Sequence, residues 1–258
     1  MHVSRRKKKS SRNQTAIILI VALLALLVYL LLRWNERQRL KFVRHEAYGI
    51  SIPDGFKIHG IDVSRYQQFI GWDEVKKMNV ENISMNFAFI KATEGENYLD
   101  PFFKRNWNKA QENKMTRGAY HFFLPDKDAV KQARFFIATV KLQKGDLPPV
   151  LDIEKLNRTK PAALKTSIKT WLQMIEDHFH VKPIIYTNAD FYKKYLGSDF
   201  DEYPLWVAHY YEPHRPRIFR SWNFWQHSDK GNINGINHKV DFNVFNGDSA
   251  DFSDLLIK

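Results

Sequence analysis

Apolar positions along this chain fall into three regimes. Residues 15–32 form one unbroken, uncharged run, residues 33–56 are polar and basic, and beyond 57 short apolar runs alternate with segments of helical period. The short runs lie at 58–63, 87–92, 118–123, 150–153 and 184–186. Bounded by polar segments and too short for buried helices, they read as strands covered on both faces. Between them, 73–78, 100–114, 126–142 and 160–179 carry helical periodicity and start signals, such as Pro101 in a first turn, and a shorter segment follows at 189–195. Five strand–helix units in succession predict a parallel sheet with helices outside it. The last third differs: 205–210, 224–227 and 239–244 are strand-like with no convincing helix between them. The expected fold is therefore α/β, an irregular TIM-like barrel of five β/α units followed by three strands. An open doubly wound sheet is the alternative, but no Gly-rich phosphate loop follows any strand.

The uncharged run adds one transmembrane helix ahead of the barrel. Its eighteen residues give roughly 27 Å of helix, enough to cross a bilayer core. Arg5, Arg6, Lys7, Lys8, Lys9 and Arg12 precede it without an acid, which places the N-terminus in the cytoplasm and the rest on the exported side. A cleaved signal peptide would have a shorter apolar region followed by small residues. Here Arg33-Trp34-Asn35-Glu36-Arg37 follow instead, so an uncleaved anchor in the cell membrane is expected. The resulting division is a basic cytoplasmic tail at 1–14, an anchor at 15–32, a stalk at 33–56 that ends on the turn Pro53-Asp54-Gly55, and a barrel domain at 57–258.

Charge then changes meaning. The net +12 suggests nucleic acid until its distribution is read: residues 1–46 hold 11 Lys/Arg against 2 acids, nine of the twelve surplus charges. The basicity is topogenic, and no basic stripe points to nucleic acid. The absence of cysteine excludes disulfides, thiolate zinc sites and cysteine nucleophiles. A monomer stabilised by its core alone is expected, because a domain of about 200 residues buries enough surface.

Barrels of this kind carry function at the C-terminal ends of their strands. The residues there are Asp62, Glu94, Tyr120, His121, Asp152, Glu154, Tyr186, Trp206, Gln226 and Asp241. Acids and aromatics dominate, the usual lining of a sugar site. Asp152 and Glu154 are two residues apart on one strand, so they emerge on one face about 6.6 Å apart along the chain. Paired carboxyls at that spacing influence each other's protonation, as acid-catalysed glycoside cleavage requires. Two solvated acids at a strand end are the plainer reading of that pair by itself.

Eight short words decide between the two readings. They are His59-Gly60-Ile61-Asp62-Val63-Ser64 with Gln67, Phe89-Ile90-Lys91-Ala92-Thr93-Glu94-Gly95, Gly118-Ala119-Tyr120-His121-Phe122 and Leu151-Asp152-Ile153-Glu154. Then come Tyr186-Thr187-Asn188, Leu205-Trp206-Val207-Ala208, Phe224-Trp225-Gln226 with Ser228, and Val240-Asp241-Phe242-Asn243. In this order they resemble the lysozymes of glycoside hydrolase family 25, the N-acetylmuramidases that cut bacterial peptidoglycan. The resemblance implies a hydrolase of the β-1,4 bond between N-acetylmuramic acid and N-acetylglucosamine, with Glu154 as general acid. Asp152 then either orients the substrate's 2-acetamido group or attacks C1 itself. Two acids on one strand approach the sugar from one side, which favours the orienting role. Asp62 and Asp241 match the family's two further acids, with turn-capping and barrel-closing hydrogen bonds as their structural alternatives.

Around them, Tyr120 and Tyr186 are expected to hydrogen-bond substrate or to fill the barrel mouth, and Trp206 to stack a sugar or to belong to the core. His121 and Gln226 are weaker site candidates. Glu94 reads as half of a structural ion pair, and His209 and His227 as solvated or packed rather than metal-bound. No metal or cofactor is implied. The expected partners are peptidoglycan glycan strands and, through the N-terminal helix, a membrane. A catalytically silent glycan-binding barrel is one alternative, against which stands the presence of all four acids. A hydrolase of another N-acetylated glycan, such as chitin, is the other.

Overall fold

The structure, a computed structural model, describes residues 7–37, 40–210 and 212–258. It comprises two units, each taken by itself: the N-terminal residues to Leu40 with 213–215, and a folded domain made of the rest. In the first, α1 (Lys7–Arg37) is continuous over 31 residues. Its stretch Gln14–Trp34 is long and apolar enough to cross a membrane, about 32 Å at 1.5 Å per residue. Arg5 and Arg6 of the expected basic tail lie outside the described residues.

In the folded domain eight strands close a barrel: β3 (His59–Val63), β4 (Ile83–Glu94), β5 (Thr116–Phe122), β6 (Val150–Asp152), β7 (Ile184–Asn188), β8 (Leu205–Ala208), β9 (Phe224–Ile233) and β10 (Ile236–Phe245). Helices α2 (Trp72–Lys77), α3 (Phe103–Glu112), α4 (Ala129–Thr139) and α5 (Pro161–Phe179) follow β3 to β6, and an irregular helical stretch over 189–200 follows β7. Five β/α units and three strands are thus present as expected. Neighbours from β3 through β9 pair in parallel, whereas β10 runs antiparallel to both β9 and β3. That reversal matters for the site. Asp241 comes from the middle of β10, the sixth of its ten residues, not from a strand's C-terminal end, and reaches the same rim because it pairs opposite Asp62.

Alternation along each strand fills the barrel. Ile58, Phe87, Phe89, Val150, Ile184, Trp206, Phe224 and Phe245 face inward as one buried cluster. Two inward glycines leave room for its rings: a Cβ on Gly60 would sit 2.4 Å from the Phe87 ring, and one on Gly118 2.6 Å from Phe89. A last helix, α6 (Ser249–Leu255), brings Phe252 and Leu255 against the cluster and closes the lower end. The upper end remains polar and open.

The segment read as a stalk is folded from Phe42 onward. β1 (Phe42–His45) and β2 (Ile50–Pro53) make an antiparallel hairpin on the outside of β9 and β10, which lack helices of their own. Tyr48, Ile50 and Ile52 are buried there, Tyr48 meets Phe242 at 5.5 Å and Phe42 meets Trp225 at 6.1 Å. The Asn232 amide donates to the Tyr48 carbonyl at 2.8 Å, and the Tyr48 hydroxyl donates to the Ile83 carbonyl at 2.6 Å. The hairpin takes the covering role that helices play elsewhere, since a strand buried on its inner face still needs its outer face shielded.

Candidate active site

The open end of the barrel is a cleft lined by Asp62, Tyr120, Asp152, Glu154, Tyr186, Trp206, Gln226 and Asp241, joined by Ser64, Tyr66, Lys91, Phe122 and Tyr210. Strand period explains the first set: Gly118, Tyr120 and Phe122 alternate inward on β5, as do Phe87, Phe89 and Lys91 on β4. All four expected acids are brought together.

Asp62 is the most tightly held. Its Oδ2 accepts from the side-chain amides of Gln226 at 2.8 Å and Asn243 at 2.7 Å. The Tyr186 hydroxyl donates to Gln226 Oε1 at 2.8 Å and the Tyr210 hydroxyl at 2.5 Å, while the Trp206 indole donates to Asn243 at 2.7 Å. Burial raises the Asp62 carboxyl to about 6, against the three hydrogen bonds that favour its anion. Its neighbour Asp241 is pushed to about 9 by burial and by the Asp62 charge. The pair therefore shares one proton near neutrality, carried by Asp241 and donated to Asp62.

Asp152 ends β6 and is buried, with Oδ1 lacking any hydrogen-bond partner among the described residues. Burial, then the charge of Glu154, raises its carboxyl well above the ordinary range, with Lys91 acting in the opposite direction. Glu154, two residues further on, is only half-buried. One carboxyl thus lies deep with an unsatisfied oxygen and the other at the surface of the same cleft, an arrangement able to hold a polar substituent and hand over a proton. Tyr120 and Tyr186 lie between the acids, and burial keeps both hydroxyls protonated far into the alkaline range.

Two expected site residues take other roles. His121 faces outward, as its position next to inward Tyr120 dictates. Fully buried and stacked on Trp171 at 5.6 Å, it donates from Nε2 to Gln132 at 3.1 Å and accepts the Thr93 hydroxyl at 2.7 Å. It binds the helix layer to the barrel and does not reach the cleft. Trp206 forms the cleft floor, but its ring is stacked on Phe89 at 4.2 Å and packed by Tyr186 at 4.4 Å. With its faces covered it positions Asn243 rather than stacking a sugar. Glu94 forms the expected ion pair, with Lys91 at 2.6 Å, and His227 is packed against Phe242 and Trp225.

Lys91, Tyr66 and Tyr210 are cleft residues that the candidate set lacked. Inward alternation from Phe87 and Phe89 identifies Lys91. Tyr66 lies in a single helical turn, Arg65–Gln67, and Tyr210 in a loop, and neither follows a strand period. Among the described residues no cluster of His, Asp or Glu has the geometry to hold a metal ion.

The family model of glycosyl hydrolases family 25 matches residues 61–236, a span that includes Asp62, Asp152 and Glu154. The chain belongs to glycosyl hydrolase family 25. The domain is accordingly a glycoside hydrolase of the lysozyme type. Lysozyme M1 of Streptomyces globisporus is 35% identical over 220 residues, 78% of this chain and 72% of that protein. The uncharacterized protein YegX of Escherichia coli K12 is 50% identical over 202 residues, 78% of this chain and 74% of the other. Among solved structures, a family 25 glycosyl hydrolase from Bacillus anthracis superposes with a TM-score of 0.74 at 32% identity, covering 83% of this chain and all of that one. These family 25 likenesses agree with the closed barrel and with its five β/α units followed by three strands.

Proposed function

We propose that this family 25 enzyme is a membrane-tethered muramidase, hydrolysing the β-1,4 bond between N-acetylmuramic acid and N-acetylglucosamine in peptidoglycan. Glu154 protonates the leaving glycosidic oxygen and Asp152 orients the 2-acetamido group. The observation that carries this reading is the pairing of a deep carboxyl, whose Oδ1 is buried without a partner, with a half-buried carboxyl two residues along the same segment. The buried oxygen is suited to accept the acetamido N–H. That interaction would favour ionised Asp152 and steer the acetamido oxygen toward C1, a recognised exception to the scheme with two protein carboxylates. Asp152 as direct nucleophile is the second reading, disfavoured because both acids reach the sugar from one strand end. The Asp62–Asp241 pair, held by Gln226 and Asn243, keeps a fixed charge beside the developing cation. The lysozyme name of the Streptomyces relative supports peptidoglycan over chitin.

The apolar helix α1 serves as the anchor, with the barrel on the exported side, so that cleavage is confined to wall close to the membrane. Glu154→Gln in the full chain should abolish release of reducing sugar from purified peptidoglycan while leaving co-sedimentation with it intact. Retained activity in that variant would show that another group is the acid. For the role of Asp152, de-N-acetylated glycan is the test: poor cleavage supports the orienting role, and efficient cleavage supports a protein nucleophile.

A further inference from the structure

Beside the acids stands a turn that the catalytic scheme does not use. After β3 the chain makes a single helical turn, Arg65–Gln67, fixed from three sides. The Ser64 amide donates to Gln67 Oε1 at 2.9 Å, Gln67 Nε2 donates to the Lys239 carbonyl at 2.7 Å, and the Arg65 amide donates to Asp100 Oδ2 at 2.8 Å. What this rigid turn presents is a cation between two phenols. The Arg65 guanidinium lies 5.1 Å from the Tyr66 ring centroid and 5.6 Å from that of Tyr98, and donates to the Tyr98 hydroxyl at 3.1 Å and the Tyr66 hydroxyl at 3.4 Å. Tyr66 lines the cleft beside Asp62, Asp152 and Glu154 and is 68% exposed.

Charge pairing separates Arg65, next to the cleft residue Tyr66, from Lys91, a cation that lines the cleft itself. Lys91 is committed to Glu94 at 2.6 Å, whereas Arg65 makes no ion pair with a carboxylate among the described residues. Its guanidinium carries five N–H donors, of which the two hydroxyls take two. The remaining donors keep the planar fork that matches a carboxylate, and the flanking rings restrict its rotamers before any ligand arrives. Asp241, raised to about 9 by burial and the Asp62 charge, adds no negative charge near neutrality to oppose an anion there.

We infer that Arg65, clamped by Tyr66 and Tyr98, binds the carboxylate carried by a muramyl substrate and so sets a preference for acidic glycan over neutral glycan. This rests on the muramidase reading. The carboxylate is that of the lactyl ether or that of the peptide attached to it; both present the same planar anion at the cleft rim.

The test uses the full chain in detergent and three substrates: glycan strands stripped of peptide with free lactyl carboxylates, the same strands with carboxyls converted to amides, and peptide-bearing strands. The native enzyme should show a lower KM for carboxylate strands than for amidated ones. Arg65→Gln should raise KM on the carboxylate strands about five- to tenfold, with kcat within about twofold, as expected for one lost charge-assisted contact at an accessible site. Its KM on amidated strands should not move, and Arg65→Lys should restore part of the preference. An effect on stripped strands assigns the lactyl group; an effect confined to peptide-bearing strands assigns the peptide. Arg65→Gln keeping the native preference overturns the inference, as does equal loss on charged and amidated strands. If the native enzyme releases no reducing ends from any of the three, the muramidase reading itself fails and the role of Arg65 falls with it.

Discussion

Replacing Tyr48 by alanine should unfold this domain early, although Tyr48 lies far from the cleft in a segment whose composition suggests a stalk. The residue is fully buried, packs edge-on against Phe242 at 5.5 Å and donates its hydroxyl to the Ile83 carbonyl at 2.6 Å. Deleting a buried aromatic ring costs about 3–5 kcal/mol, and the stranded carbonyl adds roughly 1 kcal/mol more. For a domain of this size each kcal/mol moves Tm by about 2–4 °C, so Tyr48→Ala should lower it by on the order of 10 °C. Tyr48→Phe removes only the hydrogen bond and should lose about 1 kcal/mol. Near-UV circular dichroism of the full chain in detergent, followed on heating, measures both. A Tyr48→Ala protein melting within about 2 °C of the native one would show that the hairpin is an appendage, and the reasoning about the covered face of β9 and β10 would be wrong.

Other consequences follow from buried titratable groups. Burial lowers His59 to about 4, and His121 and His227 to about 3, while unfolded imidazoles titrate near 6.5. The unfolded chain therefore binds more protons below pH 6.5, and their contribution to stability, fully present above that value, declines as pH falls toward 4. Urea midpoints at pH 7 and pH 4.5 should show a large loss, and an unchanged midpoint would contradict the burial of these rings. Asp241, raised to about 9, acts in the opposite sense: its folded form keeps a proton that the unfolded form has lost, so it costs stability as pH rises from about 4 to 9. Asp241→Asn should flatten that decline while lowering activity, and an unchanged alkaline slope would refute the shared proton. Asp152→Asn should lower kcat by about 10²-fold or more, with little change in glycan co-sedimentation, if its carboxylate acts mainly in the transition state. Arg117→Ala strands the buried Asp146, now paired at 2.8 Å, and should cost about 3–5 kcal/mol by urea unfolding.

The barrel was legible because its strands are short apolar runs separated by helical segments, and its acids because they cluster where such strands end. What the pattern hid has physical reasons. The hairpin's apolar residues are few and scattered among Arg44, Glu46 and Ser51, so Ile50 and Ile52 look like isolated surface positions, although β9 and β10 need a cover. His121 sits next to Tyr120 in sequence, yet strand period sends it to the opposite face. Trp206 reaches the cleft floor, but a linear reading cannot show that Phe89 and Tyr186 already occupy its faces. Asp241 lies at the expected rim although β10 runs the other way, because pairing with Asp62 restores its position. Arg65 carries no signal in period or composition; its meaning depends on Tyr98, brought beside it by the fold.

The most direct test of the central claim is the identity of the sugar end that the enzyme creates. Purified peptidoglycan digested with the full chain, then reduced and analysed by mass spectrometry, should yield fragments ending in reduced N-acetylmuramic acid, and Glu154→Gln should yield none above background. Fragments ending in N-acetylglucosamine, no fragments from the native enzyme, or equal yields from both proteins would contradict the account.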